Sequence, residues 1–370
     1  MPHPPRLRIG VIGFAHMHVN ALIEDVLAAG ADLIACADTI PQTPSLTRVE
    51  GSRHANLARA LNQPGNPKPY ADHHAMLEIE KLHLVLFCPE ISRHADIAEA
   101  IAAHKIPMLT EKPLAATTTD ATRMIRAANA AQVPLITNWS ITWRAPIRRV
   151  KSLIDEGAIG EILQFRWRNM ASLGPLAIGS NHPGATTIGA VTDAEKAAEW
   201  WHQSNAGGGA LLDYACYGAC LATWFLGAVP DSVTATTHNL RHQFSDAEDN
   251  ATLLLHYPRA TALIEASWTT VHNGTPNGPI LHGTTGTIVV DGPRVLLYRK
   301  PGTAPEIFEN DPIEAPATIG QAVIAHLQSG TPLHATLAPN LNQAVAAILE
   351  AGARAAASGQ RQAVKETVRF

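Results

Sequence analysis

The sequence predicts an α/β protein: an N-terminal doubly wound parallel sheet, then an α+β domain with a largely antiparallel open sheet. Three observations predict it. Through the first third, short apolar runs alternate with helical patterns across short connections. The first of these runs ends in glycine and opens into a helix. Past residue 145 the pattern changes to strand-like segments joined by polar turns, with helices returning near the end. A chain of 370 residues also suits two domains at roughly 150 residues each. The boundary is placed at 140, giving 1–140 and 141–370, with the final helices free to pack back on the first domain.

The elements follow in order. Arg8 to Gly13 reads as a buried parallel strand, and Val19 to Ala29 carries Leu22, Val26 and Leu27 at helical spacing. Leu33 to Ala37 is a second strand, stopped by Asp38; Ala55 to Leu61 is a helix. Leu82 to Cys88 is a strand ended by Pro89, and His94 to Ala103 a helix. Strands over 107–110 and 133–137 flank a helix over 119–131. Ile147 to Glu156 is the next helix, with Gly157 and Gly160 marking its end. A loop-like tract fills 170–209, and Ala210 to Leu226 is an apolar helix. Strand-like segments begin at Ser232 and include 251–257, 261–268 and 288–290; helices close the chain at 319–327 and 340–357.

Composition narrows the function. Hydrophobic residues at 46% and charged residues at 16% are too apolar a balance for disorder. A net charge of −4 with no basic stripe points away from nucleic acid, and no polybasic segment suggests a membrane surface. No run is expected to reach the length of a membrane span, and no leader pattern opens the chain, so the expected location is cytoplasmic. Cys36, Cys88, Cys216 and Cys220 show no CxxC spacing and read as reduced thiols. The 18 histidines are scattered without HExxH or CxxC…H grouping, and no metal is expected.

Gly13-Phe14-Ala15-His16-Met17-His18 sits between strand and helix, where a dinucleotide fingerprint would lie. Only its first glycine is present, but Ala15 adds only a methyl and the helix start offers free N–H groups to a pyrophosphate. Asp38 lies 25 residues after Gly13, where a carboxylate accepts the adenosine ribose hydroxyls and repels a 2′-phosphate. NAD is therefore expected over NADP. His16 and His18 read equally as cofactor contacts and as structural histidines.

Two later segments add chemistry. Glu111-Lys112-Pro113 follows a strand at the carboxyl edge of the sheet, and Gly207-Gly208-Gly209 opens a helix carrying Asp213 and Tyr217 one turn apart. Oxidising an alcohol needs a base for the hydroxyl proton. Tyr217 is expected to supply it, its phenol lowered by the ammonium of Lys112, with Asp213 orienting the group; Lys112 and Tyr217 can also exchange roles.

With these motifs the chain resembles the glucose–fructose oxidoreductase / inositol dehydrogenase / MocA family (Gfo/Idh/MocA), and the resemblance spans nearly its whole length. Glu111-Lys112-Pro113 is that family's Glu-Lys-Pro, and Gly207 to Tyr217 its Gly-Gly-Gly-x-x-x-Asp-x-x-x-His/Tyr helix. Pro89-Glu90-Ile91-Ser92-Arg93-His94 stands where the family has Pro-Asn-x-x-x-His, with Glu90 replacing Asn. Glu248 to Ala251 and Leu281 to Gly286 match two further patterns. Tyr217 in place of the commoner His is similar to the Tyr-bearing members. The resemblance implies a Rossmann NAD(P) domain, an α+β domain whose sheet forms homo-oligomer contacts, and a Lys112–Asp213–Tyr217 catalytic group. Cofactor contacts are expected from Gly13, Phe14, Ala15, His16, Asp38, Pro89, His94, Glu111 and Lys112.

The implied substrate is a small carbohydrate, oxidised at a secondary alcohol of a sugar, glycoside or cyclitol by NAD, with the third carbon of a glycoside as one option. An alternative is an NAD-dependent glycosidase working by transient oxidation and elimination; a non-catalytic NAD sensor is disfavoured by the retained catalytic group. Besides Lys112, Asp213 and Tyr217, substrate contacts are expected from Asn138, Trp143 and Arg144 after the last strand, and from Arg168, His182 and Trp201 in the tract before the catalytic helix. Tryptophans suit sugar faces and arginines suit hydroxyls, although Trp200 and Trp201 equally suit domain packing.

Overall fold

The structure is a computed structural model that describes residues 5–39, 52–169, 174–175, 191–276, 278–309 and 314–365. The first half runs β1 (Leu7–Phe14), α1 (His18–Ala28), β2 (Ala31–Ala37), α2 (Arg53–Leu61), β3 (Lys68–Tyr70), α3 (His73–Ile79), β4 (Leu84–Cys88), α4 (His94–Ala103), β5 (Met108–Glu111), α5 (Thr118–Ala131) and β6 (Leu135–Asn138). Its strands form one parallel sheet in the order β3-β2-β1-β4-β5-β6. The order reverses between β1 and β4, and the crevice beyond their carboxyl ends is where such sheets bind ligands.

Apolar residues cover both faces of this sheet. Ile9 and Val11 of β1 pack with Val19, Leu22, Ile23 and Val26 of α1. Ile12 packs on the opposite side with Phe87, Ile97, Ile101 and Met124. This double burial is why the strands read as continuous apolar runs. β3 and α3 escape the sequence reading. Lys68-Pro69-Tyr70 is three residues long, and its proline is tolerated only because the strand is at the edge.

The second half continues with α6 (Ala145–Asp155), β7 (Ile162–Asn169) and α7 (Asp193–Ala197), then a π-helical turn (Leu211–Ala215) running into α8 (Cys216–Leu226). β8 (Ser232–His238), β9 (Asn250–His256), β10 (Thr261–Ser267), β11 (Ile280–Gly283), β12 (Thr287–Asp291), β13 (Arg294–Tyr298) and β14 (Glu306–Phe308) follow. α9 (Ile319–Ser329), α10 (Pro339–Ser358) and β15 (Gln362–Ala363) end the described chain. The sheet order is β14-β13-β12-β11-β7-β10-β9-β8-β15, antiparallel except where β7 runs parallel to β10. β7 was not expected. Its inward Phe165 and Trp167 alternate with outward Arg166 and Arg168, too few apolar residues to stand out.

The tract over 170–209, expected to be loop, contains α7 and two short 3₁₀ turns at Trp200–His202 and Ser204–Ala206. Contrary to the expectation that no run reaches membrane-span length, Ser204–Leu226 is long and apolar enough to cross a bilayer. Its most apolar 18-residue stretch is 78% buried inside the fold, as a core helix is. The two closing helices join the halves: Val323 of α9 lies in the apolar cluster of α1, and Gly320 N–H donates to Asp25 at 2.7 Å. α10 reaches β6 and α5, where Trp139 donates to Asn342 at 2.6 Å and Thr118 N–H to Glu350 at 3.1 Å.

Candidate active site

The Glu111-Lys112-Pro113 segment leaves β5 through a cis Lys112–Pro113 bond toward the start of the catalytic helix. That start is set by glycine and a carboxylate. Gly209 has φ +109°, and a Cβ there would land on the carboxylate of Glu248. Glu248 accepts from Leu211 N–H at 2.8 Å, satisfying a free donor of the first helical turn. The π-helical turn then carries Asp213 and the following helix Tyr217. Such widened turns occur disproportionately at functional sites.

Lys112 Nζ donates to Asp213 Oδ1 and to the Asp213 main-chain oxygen, both at 2.9 Å. Both side chains are buried, and Lys112 Nζ stands 4.6 Å from the centre of the Tyr217 ring. Asp213 Oδ2 is buried with no hydrogen-bond partner among the described residues. Burial opposes charge on both partners, but their mutual attraction prevails: Asp213 is held well below the usual carboxylate range and Lys112 well above the usual ammonium range. Tyr217 departs from expectation. Burial raises its phenol above the ordinary value, and the opposing pull of Lys112 does not offset it. The resting group is therefore a lysine cation, an aspartate anion and a neutral phenol.

A histidine also reaches Asp213. His16 Nε2 lies 3.7 Å from Asp213 Oδ1. Its Nδ1 accepts from His18 N–H at 3.2 Å, which assigns the ring proton to Nε2. Burial, with His18 next in weight, lowers the His16 pKa to about 4. His18 lies 3.2 Å from Glu111 through Nδ1, and Asn138 donates to the same carboxylate. Glu111 is lowered to about 2; burial works against that, and His18, His16 and Lys112 outweigh it. A cleft of about 550 Å³ borders this group, lined by His18, Asn138 and Trp143 but not by Lys112 or Asp213.

The cofactor turn has the expected shape. Gly13 has φ +80°, and a Cβ there would stand 2.6 Å from Pro89 N, so the strand ends meet only through glycine. Phe14 N–H and Thr39 N–H donate to Asp38 Oδ1 at 3.3 and 2.8 Å. Unexpectedly, Arg53 at the start of α2 joins them at 2.7 Å and also pairs with Glu90. Burial pushes the Asp38 carboxyl up, and Arg53 pulls it partly back. A turn opened by Gly13, with the Phe14 and His16 side chains buried and a carboxylate behind it, fits a dinucleotide, whose phosphates Gly13 to His16 would hold and whose ribose Asp38 would hold.

Other expected residues fall elsewhere. Buried His94 bonds Leu114 O at 3.0 Å, tying the lysine segment to α4. Trp200 donates to Ala15 O at 2.9 Å, and Trp201 stacks on Trp200 at 4.9 Å with only 1% of its surface exposed. Trp201 thus takes part in packing the second half against the cofactor turn, 5.8 Å from the His16 ring. Arg168 lies on the sheet face opposite Trp167, paired with Glu265 at 2.7 Å and away from α8. Arg144 is exposed, in a small hollow with Trp167 and Gly278, while Trp143 carries Arg148 at 4.1 Å. His182 lies outside the described residues. Trp139, edge-on to Tyr217 at 5.9 Å, and Arg53 were missed, as was the capping role of Glu248. Among the described residues, only Asp72, His73 and His74 gather three possible metal donors, and Asp72 serves there as the cap of α3.

Fold and site together define a nicotinamide-dependent oxidoreductase. Residues 7–139 match the oxidoreductase family with an NAD-binding Rossmann fold, and residues 147–289 match the GFO/IDH/MocA C-terminal domain. The chain belongs to the Gfo/Idh/MocA family. It is similar to D-apiose dehydrogenase of Rhizobium rhizogenes, 26% identical over 76% of this chain and 72% of that protein. It is 25% identical to 2,7-anhydro-N-acetylneuraminate hydratase of Escherichia coli over 54% of this chain and 48% of that protein. Levoglucosan dehydrogenase in complex with NADH and levoglucosan shares the fold, with a TM-score of 0.74 at 20% identity, covering 98% of this chain and all (100%) of that one.

Proposed function

We propose that the protein transfers hydride between NAD and a secondary alcohol of a sugar, glycoside or cyclitol, with oxidation at the third carbon of a glycoside as one option. The observation that carries this is the buried Lys112–Asp213 pair, whose Oδ2 lacks a partner beside Tyr217. Bound nicotinamide supplies the hydride acceptor or donor. Asp213 Oδ2 accepts from a substrate hydroxyl and orients it. Lys112 keeps its charge and stabilises the oxygen that becomes negative. Tyr217 exchanges the hydroxyl proton: its neutral phenol donates in the reducing direction, and its phenolate accepts in the oxidising one. Asn138, held by Glu111, and Trp143 edge the substrate from the cleft side. Asp38 favours NAD over NADP. The cysteines, free and buried, suit a reducing compartment such as the cytoplasm, and the protein acts as a homo-oligomer.

A second reading is an NAD-dependent glycosidase that oxidises, eliminates and re-reduces. Its support is the similarity to a protein named as a hydratase, whose net reaction is not a dehydrogenation. One experiment separates the two. The protein is incubated with NAD and a panel of sugars and aryl glycosides, and NADH absorbance and aglycone release are followed together. NADH matching substrate consumed, with the glycosidic bond intact, supports the dehydrogenase; aglycone without NADH supports the glycosidase. Neither signal with any sugar refutes both.

A further inference from the structure

Arg53 stands at the first turn of α2, yet its guanidinium spans the carboxyl ends of two strands. One Nη bonds Asp38, just past β2, at 2.7 Å, and the other pairs with Glu90, just past β4. Arg53 and Glu90 are each only 4% exposed. The first Nη also lies near Thr39 Oγ1 at 3.4 Å. An arginine beside the ribose-binding carboxylate is the usual means of accepting a 2′-phosphate, through a two-pronged fork. Here both Nη groups already face carboxylates, and the cluster carries one more negative charge than positive. Glu90 Oε2, moreover, is buried with no hydrogen-bond partner among the described residues. An acceptor without a donor is satisfied by a ribose hydroxyl and opposed by a phosphate dianion.

We propose that Glu90 is a specificity-determining residue: by holding Arg53 against Asp38, it withholds the guanidinium from a 2′-phosphate and excludes NADP. The inference rests on the NAD reading above and goes beyond it. Asp38 alone leaves Arg53 free to turn toward a phosphate, whereas Asp38 and Glu90 together do not. Glu90 stands where the family pattern has Asn, so the second carboxylate belongs to this chain and not to the shared fingerprint.

The test is binding, without turnover. NADH and NADPH are titrated into the full-length protein and followed by nucleotide fluorescence. Wild type is expected to prefer NADH. Glu90→Gln removes a charge but keeps the shape, and Arg53 retains Asp38 as partner, so the fold is expected to persist. The NADPH-to-NADH ratio of dissociation constants should then fall at least about tenfold, the effect of one charge at a few Å under an effective dielectric of about 20. Glu90→Asn, the family's own residue at this place, should move it the same way. Adding Arg53→Gln to Glu90→Gln should abolish the gain, because the gain runs through the guanidinium. An unchanged ratio in either folded single variant overturns the proposal, as does a gain that survives loss of Arg53. Equal wild-type affinity for both nucleotides overturns it while leaving a nicotinamide site in place. Binding of neither nucleotide overturns the cofactor reading itself.

Discussion

Lys112 and Asp213 set the chemistry because neither is readily neutralised in its buried place. A buried cation and anion persist only when paired and hydrogen-bonded, and removing one partner strands the other. Lys112→Met is therefore expected to lower kcat by about 10²–10³, the typical cost of losing a charge stabiliser at a developing oxyanion. NADH affinity should stay within a few fold, because the cofactor turn is untouched. Near-normal turnover in that variant would refute the assignment. The protonation states also make the two directions unequal. Tyr217 faces Lys112, Cys216, Asp213 and Glu111, and its phenol stays protonated through neutral pH. It is thus ready to donate in reduction but must ionise before it accepts in oxidation. The kcat/KM for oxidation should climb with pH through the alkaline range, while that for reduction stays level around neutrality. Tyr217→Phe should abolish the climb; a climb that persists would assign it to another group.

Elements show why some of the site was legible in the sequence and some was not. The catalytic helix was legible because its signals are local: three glycines, then Asp213 and Tyr217 at a four-residue spacing that puts them on one face. The reason for the glycines was not legible, since Gly207 is crowded by Ile91, Gly208 by the main chain of Trp200 and Trp201, and Gly209 by Glu248, which arrives from a loop before β9 to cap Leu211. Arg53 was hidden for the same reason; nothing local says that α2 starts against the ends of β2 and β4. The expected lowering of Tyr217 failed because neighbouring charge is visible in a motif and burial is not. Arg168 was misplaced because β7 was unseen, and an unseen strand hides the alternation that sends Arg168 to the far face. The helix start yields its own prediction. Gly209→Ala adds a side chain at φ +109° against the half-buried carboxylate of Glu248. It should cost about 1–3 kcal/mol in a denaturant titration, as overpacking does, and lower kcat with it by displacing Asp213. A variant with wild-type stability would show that Glu248 yields easily and does not fix the helix start.

At the scale of the whole molecule, several histidines packed inside the fold are kept neutral, chiefly by burial. His16 joins the cofactor turn to Asp213, and burial lowers its pKa to about 4. His334, between Trp143 and Trp224, is lowered to about 4 by burial and by Arg148 and Lys151. His202, packed on His242, Phe244 and Trp268, is lowered by burial to about 3. In the unfolded chain each takes up its proton near pH 6.5. Between that pH and about 4 the unfolded state binds more protons than the folded one, so stability falls as pH falls. A fully buried site such as His16 contributes a limiting slope of about 1.4 kcal/mol per pH unit, and half-buried His334 less. The carboxylates act lower down. Glu111 and Asp213, both depressed, stabilise the fold at pH above their unfolded values, and that stability is lost only as pH drops below about 4.5. Midpoints of chemical unfolding should therefore be level from pH 7.5 to 7, then decline between 6.5 and 4.5, before any carboxylate loss begins. His202→Phe, which keeps an aromatic ring in an aromatic surrounding, should make that decline shallower without lowering stability at pH 7.5. A profile that stays level to pH 4.5 would mean that these histidines find water or a partner on protonation.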